Sequence, residues 1–220
     1  MAKIGVVLSG CGVYDGSEIH EAVISLLALD RAGAEVVIMA PDIEQAVVNH
    51  LTGEQVDGVI RNVLEESARI ARGNISDIAK VSAADIDALF IPGGFGAAKT
   101  LCDFAVKGPD CDVNSDVARL IREIVAAKKP LVAVCIAPAL VAKVLGDDKL
   151  AHKLTIGTDE GTAEAVTAMG STHVNCPVSE LVIDKTNKII TSPAYMLAGS
   201  ISEAAEGIEK SVTALMEFFD

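Results

Sequence analysis

Tryptophan is absent from this chain, and aromatic residues of all kinds make up only 3% of it. A core assembled with so few rings has to be aliphatic, and Ala, Val, Ile and Leu supply most of the hydrophobic half of the composition. Positive charge is also scarce: 18 Lys and Arg face 31 Asp and Glu, a net charge of −13. A phosphate backbone would be repelled, which argues against nucleic-acid binding. No run of 18 apolar residues is present to cross a membrane. The opening MAKIGVVLSGCG turns glycine-rich too soon to read as a signal peptide, so a cytoplasmic protein is expected. The five cysteines, at 11, 102, 111, 135 and 176, form no CxxC pair and are odd in number, as expected of free thiols in a reducing compartment. His173 and Cys176 stand three apart, but no second pair completes a tetrahedral zinc site. No metal or other cofactor is expected.

What is present is an alternation of short aliphatic runs with helical patterns. At 220 residues the chain can form one domain with a substantial core, or at most two small ones. Strands are expected at Lys3–Leu8, Glu35–Met39, Ala88–Ile91, Leu131–Val134 and Leu154–Ile156, and as two short strands within LVIDKTNKII. A helix capped by Ser17 should run to about Arg31, with Ile19, Val23, Leu26 and Leu27 on one face. Residues 45–61 read as a hairpin-like insertion, followed by helical spacing from Val63 to Ala71. Further helices are expected from Asn114 or Ser115 to about Lys128, from Ala137 to Leu145, from Thr162 to Met169 and from Ile201 to Phe219. Such alternation predicts an α/β fold with a doubly wound, mostly parallel sheet, whose reactive groups belong at the carboxyl ends of the strands.

Three loops fall at such ends. In LVAVCIAPAL, a buried strand runs straight into Cys135 and then a helix, the strand–turn–helix of a nucleophile elbow. Ala133 and Ala137 are small where strand and helix nearly touch, and Pro138 is tolerated in a first helical turn. The helix dipole would favour thiolate at Cys135, although a buried free cysteine is often only a small hydrophobe. In PGGFG, residues 92–96, the N–H groups of Gly93 and Gly94 together with that of Ile136 could form an oxyanion hole. The third loop, SGCGVYDGSE, has GxGxxxG rather than GxGxxG spacing, and Asp42 lies beyond a proline, so dinucleotide binding is disfavoured. Its Glu18 opens a helix and should point over the carboxyl edge of the sheet, or simply complement the helix dipole.

Together, SGCGVYDGSEIHEAV, NHLTGE, PGGFGAAK, CIAPA, LTIGTD and TSPAYM resemble signature segments of the ThiJ/PfpI superfamily of class I glutamine amidotransferase-like domains. Within it they resemble the ElbB, or "enhancing lycopene biosynthesis", group. The resemblance spans residues 9–196 and implies one amidotransferase-like domain over 1–220, a flavodoxin-like three-layer sandwich and a homodimer. It implies Cys135 as nucleophile and Glu18 as its carboxyl partner. It also implies a weak, cofactor-independent glyoxalase activity, glyoxal to glycolate, and a link to isoprenoid metabolism. If Glu18 is protonated it would donate a hydrogen bond to the thiolate; if ionised it would raise the thiol pKa.

The chain departs from the wider superfamily in its histidines. It has no His-x-Glu pair near its end, Ile136 rather than His follows the cysteine, and Gly157 and Thr158 stand where related proteins carry a His. His20, two residues past Glu18, is expected on another face of that helix, and His152 and His173 could reach the site only through a loop or a partner subunit. Glutaminase activity is therefore not expected. The leading reading is an enzyme acting on glyoxal or a similar small α-oxoaldehyde through a cysteine hemithioacetal. The alternative is a non-catalytic protein, a redox-sensing thiol or a partner-binding module on the same scaffold.

Overall fold

The computed structural model describes residues 1–219. The chain begins with β1 (Lys3–Val7), α1 (Ile19–Arg31) and β2 (Glu35–Ala40), then forms a separate hairpin of β3 (Glu44–Asn49) and β4 (Glu54–Asn62). It continues through α2 (Val63–Ile70), β5 (Ser76–Asp77), β6 (Ala88–Ile91), α3 (Phe95–Lys99), α4 (Phe104–Lys107) and α5 (Ser115–Ala126). The second half holds β7 (Leu131–Val134), α6 (Ala137–Asp147), β8 (Lys153–Leu154), α7 (Glu160–Ala168), β9 (Thr172–His173), β10 (Val182–Asp184), β11 (Ile189–Ser192) and α8 (Ile201–Met216).

Seven strands form the main sheet in the order β10-β11-β7-β6-β1-β2-β5. Every pairing in it is parallel except β10 with β11. The four residues of β6 and the four of β7 are all buried, as strands covered on both faces must be. Alternate side chains feed opposite layers. Leu89, Ile91, Leu131 and Ala133 pack with Ile121 of α5 and Leu140 of α6 on one side. Ala88, Phe90, Val132 and Val134 pack with Leu29 of α1 and Ile208 of α8 on the other. The result is the doubly wound, mostly parallel sheet that the alternation predicts, layered as the α/β three-layer sandwich that the resemblance implies.

Helix α1 departs from expectation in its cap and its face. Ser17 does not cap it; its Oγ instead accepts the Ser9 N–H at 2.9 Å, tying the loop back to the end of β1. Glu18 is the cap, its Oε2 accepting the Glu21 N–H at 2.7 Å. The buried face carries Glu21, Ala22, Ser25, Ala28 and Leu29, whereas Ile19, Val23 and Leu27 are exposed. Packed against the sheet and α8, the helix turns its small and polar residues inward, so hydrophobicity alone points to the wrong side.

Candidate active site

The site lies where β1, β6, β7 and β11 end. Cys135 follows β7 with φ 60°, a left-handed backbone that a β-carbon makes strained, and its N–H is held by the Ser192 carbonyl at 3.0 Å. Helix α6 begins two residues later with Ala137 and Pro138, both buried, so the strand-to-helix reversal matches an elbow. Ala194, just past β11, is a second non-glycine residue with positive φ, 42°. These two strained positions follow the ends of adjacent strands.

The carboxyl beside Cys135 belongs to Glu21. Its Oε2 accepts the Gly93 N–H at 2.9 Å and its Oε1 accepts the Tyr195 N–H at 3.1 Å. The Cys135 sulfur and this carboxyl flank the same point, since a β-carbon on Gly93 would stand 2.9 Å from Cys135 Sγ and 2.7 Å from Glu21 Oε2. Glu18, expected in that role, is three residues and nearly one turn earlier, where capping α1 occupies one of its oxygens. Its carboxyl lines the mouth of the cavity instead. Gly93 is likewise not free to serve an oxyanion, because its N–H is given to Glu21. The N–H groups of Gly94 and Ile136 both act on the Cys135 sulfur.

Glycine is required on this wall. A β-carbon on Gly93 would stand 2.5 Å from Cys135 Cβ and 2.7 Å from Glu21 Oε2. Gly94, at φ 96°, has the Glu18 amide and the Gly16 carbonyl against the place a β-carbon would take. Backbone bonds lock the two glycine loops together: Glu18 N–H to Gly93 O at 3.0 Å, Phe95 N–H to Val13 O at 2.8 Å and Gly96 N–H to Gly16 O at 2.9 Å.

Burial pushes the Glu21 carboxyl up to about 7, against the pull of its backbone donors and the thiol. The Cys135 thiol is driven well above its usual range, first by burial and then by the charge of Glu21. The N–H groups of Gly94 and Ile136 oppose that rise without overcoming it. Burial and the Glu21 charge thus work against the thiolate that the helix dipole would favour, and the sulfur keeps its proton.

Above the thiol opens a cavity of about 400 Å³ lined by Glu18, Phe95, Ile136, Asp159, Tyr195 and Met196, among others. No Lys or Arg side chain belongs to that lining. His152 is held between the Leu150 carbonyl at 2.7 Å and Ser171 Oγ at 2.6 Å, and His173 Nε2 accepts the Ile156 N–H at 3.3 Å. Neither lines the cavity. His20, expected to face elsewhere, comes within 2.8 Å of the Tyr195 hydroxyl and 3.9 Å of Glu18 Oε1. The sequence reading missed Glu21 and Tyr195. The signal for Glu21 was a charged residue on the small-residue face of α1, and for Tyr195 the TSPAYM segment at a strand end. Among the described residues no group of three His, Cys, Asp or Glu side chains is placed to hold a metal ion.

Known proteins are similar to this chain over most of its length. The ES1 protein homolog, mitochondrial, of Rattus norvegicus is 47% identical over 98% of this chain and 84% of its own length. The human glutamine amidotransferase-like class 1 domain-containing protein 3, mitochondrial, is also 47% identical, over 98% of this chain and 83% of its own. Both names place those relatives in mitochondria, which does not fit the cytoplasmic expectation. Among solved structures, an isoprenoid biosynthesis protein with an amidotransferase-like domain from Ehrlichia chaffeensis superposes with a TM-score of 0.91. It is 39% identical, over 98% of this chain and 99% of that one. Glyoxalase III from Candida albicans shares the fold, with a TM-score of 0.64 at 16% identity, over 97% of each chain. Residues 11–196, the stretch that holds Glu21, Gly93, Gly94 and Cys135, match the DJ-1/PfpI family model: the chain belongs to the DJ-1/PfpI family.

Proposed function

We propose that the protein is a cofactor-independent, cysteine-dependent enzyme of the glyoxalase type, converting glyoxal or a similar small α-oxoaldehyde to the hydroxy acid. The observation that carries this reading is Cys135 lining a cavity with the buried Glu21 carboxyl packed behind it at Gly93. Glu21, at about 7, can take and return protons near neutral pH. As Cys135 Sγ bonds to one carbonyl carbon, the thiol proton passes to Glu21 and the carbonyl π electrons move to oxygen. That oxygen takes the proton on from Glu21 to give a hemithioacetal and leave the carboxylate free, with the N–H groups of Gly94 and Ile136 available to the alkoxide. Glu21 carries the hydrogen of the attacked carbon to its neighbour, leaving a thioester of the hydroxy acid. Water cleaves the thioester and the thiol is restored.

The lining carboxyls, Glu18 and Asp159, suit an uncharged substrate, and the lack of a lining cation does not suit the carboxylate of an amino acid such as glutamine. The ElbB resemblance and the 39% identical neighbour's description support a place near isoprenoid biosynthesis. A homodimer is the proposed unit, supported by the exposed apolar stripe of Ile19, Val23 and Leu27 on α1. A peroxide-sensing thiol is disfavoured, because oxidation favours exposed cysteines of low pKa and Cys135 is neither. Steady-state assay with glyoxal should show saturation and many turnovers per chain, both lost in Cys135→Ser. A single stoichiometric reaction with no further turnover would overturn the enzymatic reading.

A further inference from the structure

The isomerisation invoked above moves two protons, and this inference rests on that reading. One passes from carbon to carbon, the work assigned to Glu21. The other leaves the oxygen on the attacked carbon, while the oxygen on the neighbouring carbon gains one. A single carboxyl cannot hold both at once, and the three histidines outside α1, His50, His152 and His173, are bound elsewhere.

We propose that the Tyr195 hydroxyl is the second acid–base group of this site, giving a proton to the oxygen on the carbon next to the one Cys135 attacks, and that His20 is the positioning residue that restores it.

Tyr195 lines the cavity together with Cys135. Its main chain is fixed to the reacting pair, since its N–H donates to Glu21 Oε1 at 3.1 Å. Its hydroxyl is 2.8 Å from His20 Nδ1, and the two rings lie 5.8 Å apart, tilted by 46°. His20 is about half exposed and has Glu18 Oε1 at 3.9 Å, so it joins the half-buried tyrosine's hydroxyl to water on one side and to a carboxyl on the other. Burial and the charges of Glu18 and Glu21 raise the Tyr195 phenol, keeping it a proton donor at neutral pH.

In the step itself, Glu21 takes the hydrogen of the attacked carbon and a carbon–carbon double bond forms. The π electrons of the neighbouring carbonyl move to its oxygen, which takes the Tyr195 proton. The phenolate takes a proton from His20, which regains one from water. Glu21 then returns its proton to the neighbouring carbon as the hydroxyl proton of the attacked carbon leaves to water, and the thioester carbonyl forms. No electron donor or acceptor is needed.

The test uses the full-length protein and two readouts, glyoxal turnover and the rate at which iodoacetamide alkylates Cys135. In Tyr195→Phe, kcat should fall about 100-fold with KM changed by less than about threefold and the alkylation rate unchanged. In His20→Ala, kcat should fall about tenfold and recover with added imidazole, with no recovery in Tyr195→Phe/His20→Ala. Full kcat in Tyr195→Phe, or a His20→Ala defect that imidazole leaves in place, overturns the inference while the glyoxalase reading stands. A wild type that reacts with iodoacetamide but never turns over glyoxal overturns both.

Discussion

Glu21 is a carboxyl on the buried face of its helix, receiving two backbone N–H groups beside the Cys135 thiol. Its charge is one of the two main influences that hold the Cys135 proton in place, so Glu21→Gln should lower the thiol pKa. Thiolate absorbance near 240 nm (a routine wavelength for this titration), referenced to Cys135→Ser, should show the shift. Glyoxal turnover in the same variant should drop about 100-fold or more, because an amide cannot accept the thiol proton. A more reactive sulfur with less catalysis would separate acidity from proton transfer. The same group also links stability to pH. Its folded value of about 7 lies above the ordinary 4.5, so between those pH values the folded chain binds more protons than the unfolded one. This contribution therefore weakens as pH rises through the window and is level above it. Relative to wild type, Glu21→Gln should gain stability between pH 5 and pH 8, read as urea midpoints. The sequence pointed to Glu18 because both residues lie within one turn of the helix start. Only the packing of α1 decides which of them faces the sulfur.

At the scale of elements, the strands and helices that fill the core were legible because period and length leave little choice for them. Both β6 and β7 lie where aliphatic runs place them, and the hairpin of β3 and β4 lies where residues 45–61 read as a hairpin-like insertion. The two-residue strands β5, β8 and β9 escape a periodicity argument, since two residues define no period. The face of α1 was misread for a different reason: its apolar stripe is turned outward while Ser25 is satisfied internally by donating to the Glu21 carbonyl at 2.6 Å. The glycine wall gives a direct test of how rigidly the loops are joined. Gly94→Ala places a β-carbon against backbone atoms at a left-handed φ, so it should cost about 2 kcal/mol or more in stability. Thermal denaturation reads that loss; an unchanged Tm would mean the two loops separate more easily than their hydrogen bonds imply.

For the whole molecule, the outward stripe of α1 and the proposed dimer make one expectation. Light scattering at micromolar concentration should give twice the 22.8 kDa chain mass, and Val23→Glu should give the chain mass with glyoxal turnover retained. A monomeric wild type would reject the dimer. Because the cysteine, the carboxyl and the tyrosine come from three different segments, no local stretch of sequence contains the site, and the elbow alone announces it. The bond from Tyr195 N–H to Glu21 Oε1 spans 174 positions. That separation has a consequence in time. Closing so long a span comes late in folding, after helices that need only neighbouring residues. During refolding from urea, far-UV circular dichroism should therefore recover before glyoxal turnover does. In the interval, the thiol would sit on a sheet that has not yet brought it a base, open to alkylation in a way the finished protein is not.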